Sequence, residues 1–530
     1  MFYRLKQIFL GALIVGSMHQ VGAFSLLGPL DTWQTTAQGF GLTGDMGGPM
    51  GLGEEYRWNS KVIVYAYSPA FLRFFGKVGS DAVDAKFKIL NSIPAASAMS
   101  TNLAEFPLDT RRINFTAQAL GLQDLGSWSL SMVLESLGLA NPERYIYNIY
   151  AMDTAAPPAW FTTIRRNFDP ITLQPSSYVN GTLYTYRLVQ TAANQWEALE
   201  FPVDPESPTV TSVVGLASTL TLGSMDAKGL SVVTNTGFYY DGITRDDAGA
   251  LRYLLNPQNL NVENLPADAM TGAVAVNTGP SGQASSGSSP WTVPPAAGAA
   301  TAAAPAAGGA AAGGAAAAPA AGTVTLLAQG VRKGVDKIKF VRGDYESLLG
   351  QGFTNLVTYT ESVFINGALQ TQTVQRLLTT PDILFDVDDL GVDATGLPVM
   401  VARTAITFQN NSALSNGDAP GVAAGPGTIA GQVVLTFNRL GPGLFNPSAG
   451  DETGATPLRL WGSFDGSTNA PTIYPDAIST QQIEKLILKS GSPWRVPDAA
   501  AVPAAAGGGA AAGAAAPAAP APVGGGVGGA

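Results

Sequence analysis

Residues 294–322 read PPAAGAATAAAPAAGGAAAGGAAAAPAAG, a run of Ala, Gly and Pro broken by a single Thr. Nothing in it is large enough to build a core, and Gly and Pro cost a helix about 1 and about 3 kcal/mol relative to Ala. It therefore divides the chain. With the SGQASSGSSP stretch ahead of it, the tract makes a disordered linker over 271–322, about 50 residues with an r.m.s. reach of roughly 40 Å. Residues 498–530 repeat the character with some Val and are expected to be a disordered tail. Because Ala counts as hydrophobic, the 46% hydrophobic fraction overstates the real core content.

The chain opens MFYRLKQIFLGALIVGSMHQVGAF: Arg4 and Lys6 precede an apolar run from Ile8 to about Met18, followed by the small-residue site Val21-Gly22-Ala23. This is the pattern of a secretory signal peptide over 1–23, with a mature chain starting near Phe24. No later segment offers the roughly 18 consecutive bulky apolar residues of a spanning helix, so direct membrane insertion is not expected. The expected location is periplasmic, cell-surface or extracellular.

Losing the leader changes the chemistry on offer. Arg4 and Lys6 leave with it, taking the net charge from −10 to −12, and so does His19, the one histidine. There is no Cys. The mature chain thus lacks the two commonest zinc and copper ligands, and Ser-His, Cys-His and His-metal mechanisms are excluded. No disulfide helps stability, so the folded parts rely on burial. The acidity and the lack of any basic cluster longer than RK or RR oppose nucleic-acid binding.

Residues 24–270 predict an α+β domain. KVIVYAY (61–67) is a strand by its β-branched and aromatic content. After it, Ser80 or Asp81 caps a helix with Val83, Phe87 and Leu90 on one face. A second helix runs from about Ser127 to Leu137, with Leu130, Leu134 and Leu137 in one stripe, Gly138 as a left-handed C-cap and Pro142 blocking continuation. YIYNIYAM, TLYTYRLVQT, WEALEFPV and TSVVGLAST read as strands. A last helix lies in TRDDAGALRYLL (244–255), where Thr244 and Asp247 have capping-box spacing.

Residues 323–497 predict a mostly β, sandwich-like domain with a C-terminal helix. Two alternating runs flank Asn366-Gly367, a strong hairpin signal. GQVVLTFNRLG and LRLWGSFDG add strands, and STQQIEKLILK near 479–489 is the helix.

In the first domain a strand (KVIVYAY), a helix near DAVDAKFKILN, a later helix (SLSMVLESLGL) and a closing DDAGALRYLL follow an order that resembles matrixin-type zinc peptidases, over roughly residues 56–255. In that family the middle helix carries HExxH and the last often reads like DDxxGIxxLYG. The resemblance matches Glu135 to the catalytic glutamate. It puts Leu134 and Gly138 where the first two histidines belong, and the third ligand is missing from LANPERY. It therefore implies a metal-free pseudoenzyme with Glu135 as the residue to inspect; the plainer reading is a leucine-rich core helix with Glu135 on its polar edge. The whole chain also resembles exported bacterial proteins from which no activity follows.

Other lookalikes are weaker. TGDMGGPMG (43–51) mimics a serine-protease string with Met46 in the nucleophile's place, and VRGDY (341–345) contains Arg-Gly-Asp. FDVDDLGVDATG (385–396) places Asp386, Asp388 and Asp389 in an EF-hand-like loop, but Leu390 and Leu397 occupy positions that need oxygen ligands. Those three Asp are candidates for a weak Ca2+ site, the one cofactor expectation. Carboxylate catalysis of the glycoside hydrolase type needs only two acids flanking the bond, and no two particular acids are paired by the sequence. No catalytic or cofactor-binding residue is assigned. The leading expectation is a non-catalytic exported surface or envelope protein for assembly, adhesion or ligand binding, with self-assembly or an envelope partner; the alternative is a carboxylate-dependent extracellular hydrolase.

Overall fold

The computed structural model describes residues 22–41, 45–155, 159–207, 211–216, 222–226, 229–232, 236–270, 328–345, 353, 355–365, 368–387, 402–414, 425–437 and 460–475. The expected leader, linker, tail and 479–489 helix lie outside them, apart from Gly22 and Ala23 at the end of the leader.

The elements that position the site are, in chain order, β1 (Phe24–Gly28), β2 (Tyr56–Arg57), β3 (Val62–Tyr67), α1 (Pro69–Ser92), α2 (Leu125–Ser136) and α3 (Arg245–Leu255). They continue with β4 (Leu260–Asn264), β5 (Gln329–Lys333), β6 (Lys339–Arg342), β7 (Asn355–Ile365), β8 (Ala368–Leu378), β9 (Ile383–Val387), β10 (Arg403–Asn410) and β11 (Gly427–Phe437). The described strands greatly outnumber the helices, and the fold is largely β.

The main sheet has the order β6-β3-β9-β11-β10, with β2 beside β11. β3 pairs parallel with β6 (Ile63↔Phe340) and with β9 (Leu384↔Ala66), and β9 pairs parallel with β11; β10 runs antiparallel to β11. This corrects the division into an α+β domain and a separate sandwich. β3 comes from before residue 271, and both its neighbours come from after 327. Strands from after residue 327 supply the hydrogen bonds that β3 needs on both edges.

A second, antiparallel sheet, β4-β5-β7-β8, is also shared across the linker. Alternation along β3 explains how the layers stack. Ile63, Tyr65 and Tyr67 point into the core under the helices, and Val64 and Ala66 join Val357, Tyr359, Val374 and Leu378 of the second sheet. Burial on both faces is why KVIVYAY lacks polar alternation.

α1 begins eleven residues or so before its expected cap. Ser68 accepts a hydrogen bond from the Phe71 amide and Pro69 occupies the first turn, a start signal that Ser-Pro carries in the sequence. Gly76, at φ 63°, interrupts the helix, and the expected Val83, Phe87 and Leu90 face is buried behind it. α2 starts at Leu125 under an Asp124 cap, and all twelve of its residues are buried, so it is a central helix with no polar face. α3 has both capping-box hydrogen bonds between Thr244 and Asp247. TSVVGLAST is not a strand where described: it holds a short 3-10 turn at Val214–Leu216. The strands on either side of Asn366-Gly367 pair antiparallel, Ile365↔Ala368 through Asn355↔Leu378.

Candidate functional site: buried acids around α2 and α3

Glu135 lies in the last turn of α2, 4% exposed. The Thr404 hydroxyl on β10 donates to its Oε2 at 3.4 Å. Burial pushes its carboxyl well above the usual carboxylate range; the Thr404 hydrogen bond opposes this, Asp45 adds to it and Arg144 counters it. Arg144 is itself committed, to the Asp45 carboxylate, to the Gly39 carbonyl at 3.2 Å and to Glu197 at 3.9 Å.

The neighbours of Glu135 decide what α2 is. Leu130, Leu134 and Leu137 are all in the main core. Gly138, at φ 105°, has its Cβ position 2.6 Å from the Tyr56 carbonyl oxygen, so the backbone there has no room for a side chain. Neither position matched to a histidine faces a site.

A second group of acids converges where α3 meets the turn after α2. The Glu143 carboxylate accepts the amides of Thr211 (2.8 Å) and Ser212 (2.7 Å) and the Ser212 hydroxyl. Asp247 accepts from the Thr244 amide (3.0 Å) and from the amides of Val213 (3.1 Å) and Val214 (3.3 Å). Asp246 Oδ2 accepts the amides of Ala23 (2.8 Å) and Asn180 (2.6 Å). Burial raises all three acids, Asp246 to about 8. Buried acids can act as proton donors, but only if substrate reaches them. The gap walled by Phe24, Ser25, Leu139, Asp246 and Asp247 is too small for a water. These carboxylates act as fasteners: each collects backbone N–H groups, from segments distant in sequence, that would otherwise be buried unpaired.

Room for a small molecule exists elsewhere. A cavity of about 150 Å³ opens beside Trp58, Asp268, Arg376, Asp382, Gln409 and Gln432. Arg376 forks between Asp268 (2.8 Å) and Asp382 (2.6 Å), and Asp382 also accepts the Val64 amide at 2.8 Å. Its charge is spent holding β8 to β3, and the cleft is polar without a free ion. Buried charge recurs in Arg57–Glu263 (2.8 Å) and Arg332–Glu361 (3.1 Å), which tie β2 to β4 and β5 to β7. Sequence reading missed these pairs, since a charged residue in a strand looks solvent-facing until its partner is known.

The remaining candidates scatter. Asp386 is a β9 residue whose carboxylate accepts the Ser68 hydroxyl, so it helps anchor the start of α1 and is not in a loop. Asp388 and Asp389 lie outside the described residues. Arg342 of the Arg-Gly-Asp string pairs with Asp84 at 2.9 Å and covers the Tyr67 ring. Met46 packs against the Phe40–Tyr145 cluster. No described helix is long and apolar enough to cross a membrane. The chain matches no family model, no curated protein and no solved structure.

Proposed function

We propose that this chain is an exported, non-catalytic envelope or surface protein that works by assembly, and that its contact surface is the outward face of the β7–β8 hairpin. One observation carries the reading: that face has no charge in a chain of net charge −10. The cross-strand pairs along it are Leu356↔Leu377, Thr358↔Gln375, Thr360↔Thr373, Ser362↔Thr371 and Phe364↔Leu369. Leu356 is 57% exposed, Leu369 45% and Leu377 39%. Apolar and hydroxyl side chains in one exposed, charge-free strip are the mark of a surface that meets another protein. β8 is also the last strand of its sheet; the 268–270 segment bonds its edge at Gln375 and Leu377, and the stretch nearer the turn is where an incoming strand would add.

Glu143, Asp246 and Asp247 support the non-catalytic part, because they serve as backbone acceptors. Fractionation of the native cell followed by electron microscopy tests the reading. The protein is expected in a sedimentable envelope or filament fraction, and T360K/T373K is expected to move it to the soluble fraction without unfolding it. A soluble monomer that turns over a polysaccharide, with turnover lost on substituting either of two facing acids, would establish the hydrolase alternative.

A further inference from the structure

The Asp246 carboxyl is buried with one oxygen unpartnered among the described residues. Asp246 and Ala23 are both 0% exposed, and the Ala23 nitrogen sits 2.8 Å from Oδ2. Oδ1 has no hydrogen-bond partner among the described residues. The Gly22 backbone lies against that bare oxygen: a Cβ on Gly22 would stand 2.1 Å from it. Two further acids act on Asp246, Asp247 on its own helix and Glu143 from the turn after α2. Arg245, the adjacent cation on α3, turns away to the carbonyls of Leu103 and Phe106 at 3.2 Å. Three buried carboxyls thus meet at an amide nitrogen, in a place where a cation would let Asp246 ionise.

Resting on the reading of the N-terminal segment as an export signal, we propose that the Gly22–Ala23 peptide bond is hydrolysed during export and that the new α-ammonium of Ala23 forms a buried ion pair with Asp246. Water adds across the amide: the Gly22 carboxylate leaves with the leader, and the Ala23 nitrogen takes up protons to become an ammonium. The cut falls one residue before the boundary expected from the small-residue pattern. It precedes folding, because the bond is buried in the finished protein. One ammonium hydrogen keeps the bond to Oδ2. The space vacated by Gly22 lets another reach Oδ1, so the unpartnered oxygen is satisfied and the ammonium matches the ionised Asp246 with one positive charge. Processing then does more than remove an address: it completes the fold at β1, whose residues are buried throughout.

Two measurements test this. Mass spectrometry of the N-terminal peptide of the exported protein should find Ala23 with a free amine. A cut at any other bond overturns the proposal and leaves export standing, whereas an exported chain that keeps its leader overturns both. Second, the full chain from Ala23 to Ala530 is compared with its Nα-acetylated form by equilibrium unfolding at pH 7. Acetylation should raise the unfolding constant roughly tenfold or more, and have no effect in D246N. Equal stability of the free and acetylated chains overturns the ion pair. Should D246N fail to fold, the comparison on the native sequence decides alone.

Discussion

At the scale of single residues, the buried acids set how the protein responds to pH. Glu135, Glu143, Asp247 and Asp382 all have carboxyls raised chiefly by burial. A raised acid binds its proton in the folded state at a pH where the unfolded chain has released it. Its contribution is therefore fully present below the unfolded value and is lost as pH rises through the folded one, by at most about 1.4 kcal/mol per pH unit for each group. Urea unfolding is expected to give higher stability at pH 5 than at pH 8. Glu135→Gln, which fixes the neutral shape, should change stability by less than about 1 kcal/mol at pH 5 and make the decline towards pH 8 shallower. An unchanged slope would mean that Glu135 is ionised inside the fold. Glu135 could be singled out in the sequence because of its helix. The meeting of Glu143 with Asp246 and Asp247 could not, because it depends on a turn and a helix start brought together only in three dimensions.

At the scale of elements, the local signals were legible where a helix end or hairpin declares itself in a few adjacent residues. Thr244 and Asp247 form their capping box, Gly138 adopts the left-handed conformation after α2, and Asn366-Gly367 separates two strands paired in register. The start of α1 was misplaced because Ser80 and Asp81 are good capping residues in the middle of a helix that Ser68 and Pro69 had already begun. TSVVGLAST was misread because its β-branched residues serve a turn fastened by Glu143 and Asp247, a tertiary demand that overrides strand preference. Gly138→Ala puts a methyl group against the Tyr56 carbonyl in a left-handed conformation and should destabilise the protein by about 1–3 kcal/mol in denaturant unfolding. A neutral result would show that the α2 terminus and β2 are less tightly apposed than 2.6 Å implies.

At the scale of the whole molecule, composition misled where it looked plainest. An Ala/Gly/Pro tract suggests two independent domains, yet a long connection permits independence without enforcing it. Here the strands on either side interleave: β3 pairs with β6 and β9, β2 with β11, and β4 with β5. One clue lay in KVIVYAY itself, an apolar run without alternation, which asks for neighbours on both edges and cover on both faces. Nothing in the sequence named those neighbours, because parallel pairing carries no local turn. The central claim is that the segments before 271 and after 327 make one cooperative fold, and the direct test is to cut between them. A protease site placed within residues 271–327 should allow complete cleavage while the two pieces still co-elute in gel filtration and unfold in a single transition at the midpoint of the intact chain or slightly below it. Two pieces that separate under native conditions, each folded and each unfolding at its own midpoint, would contradict the shared sheets.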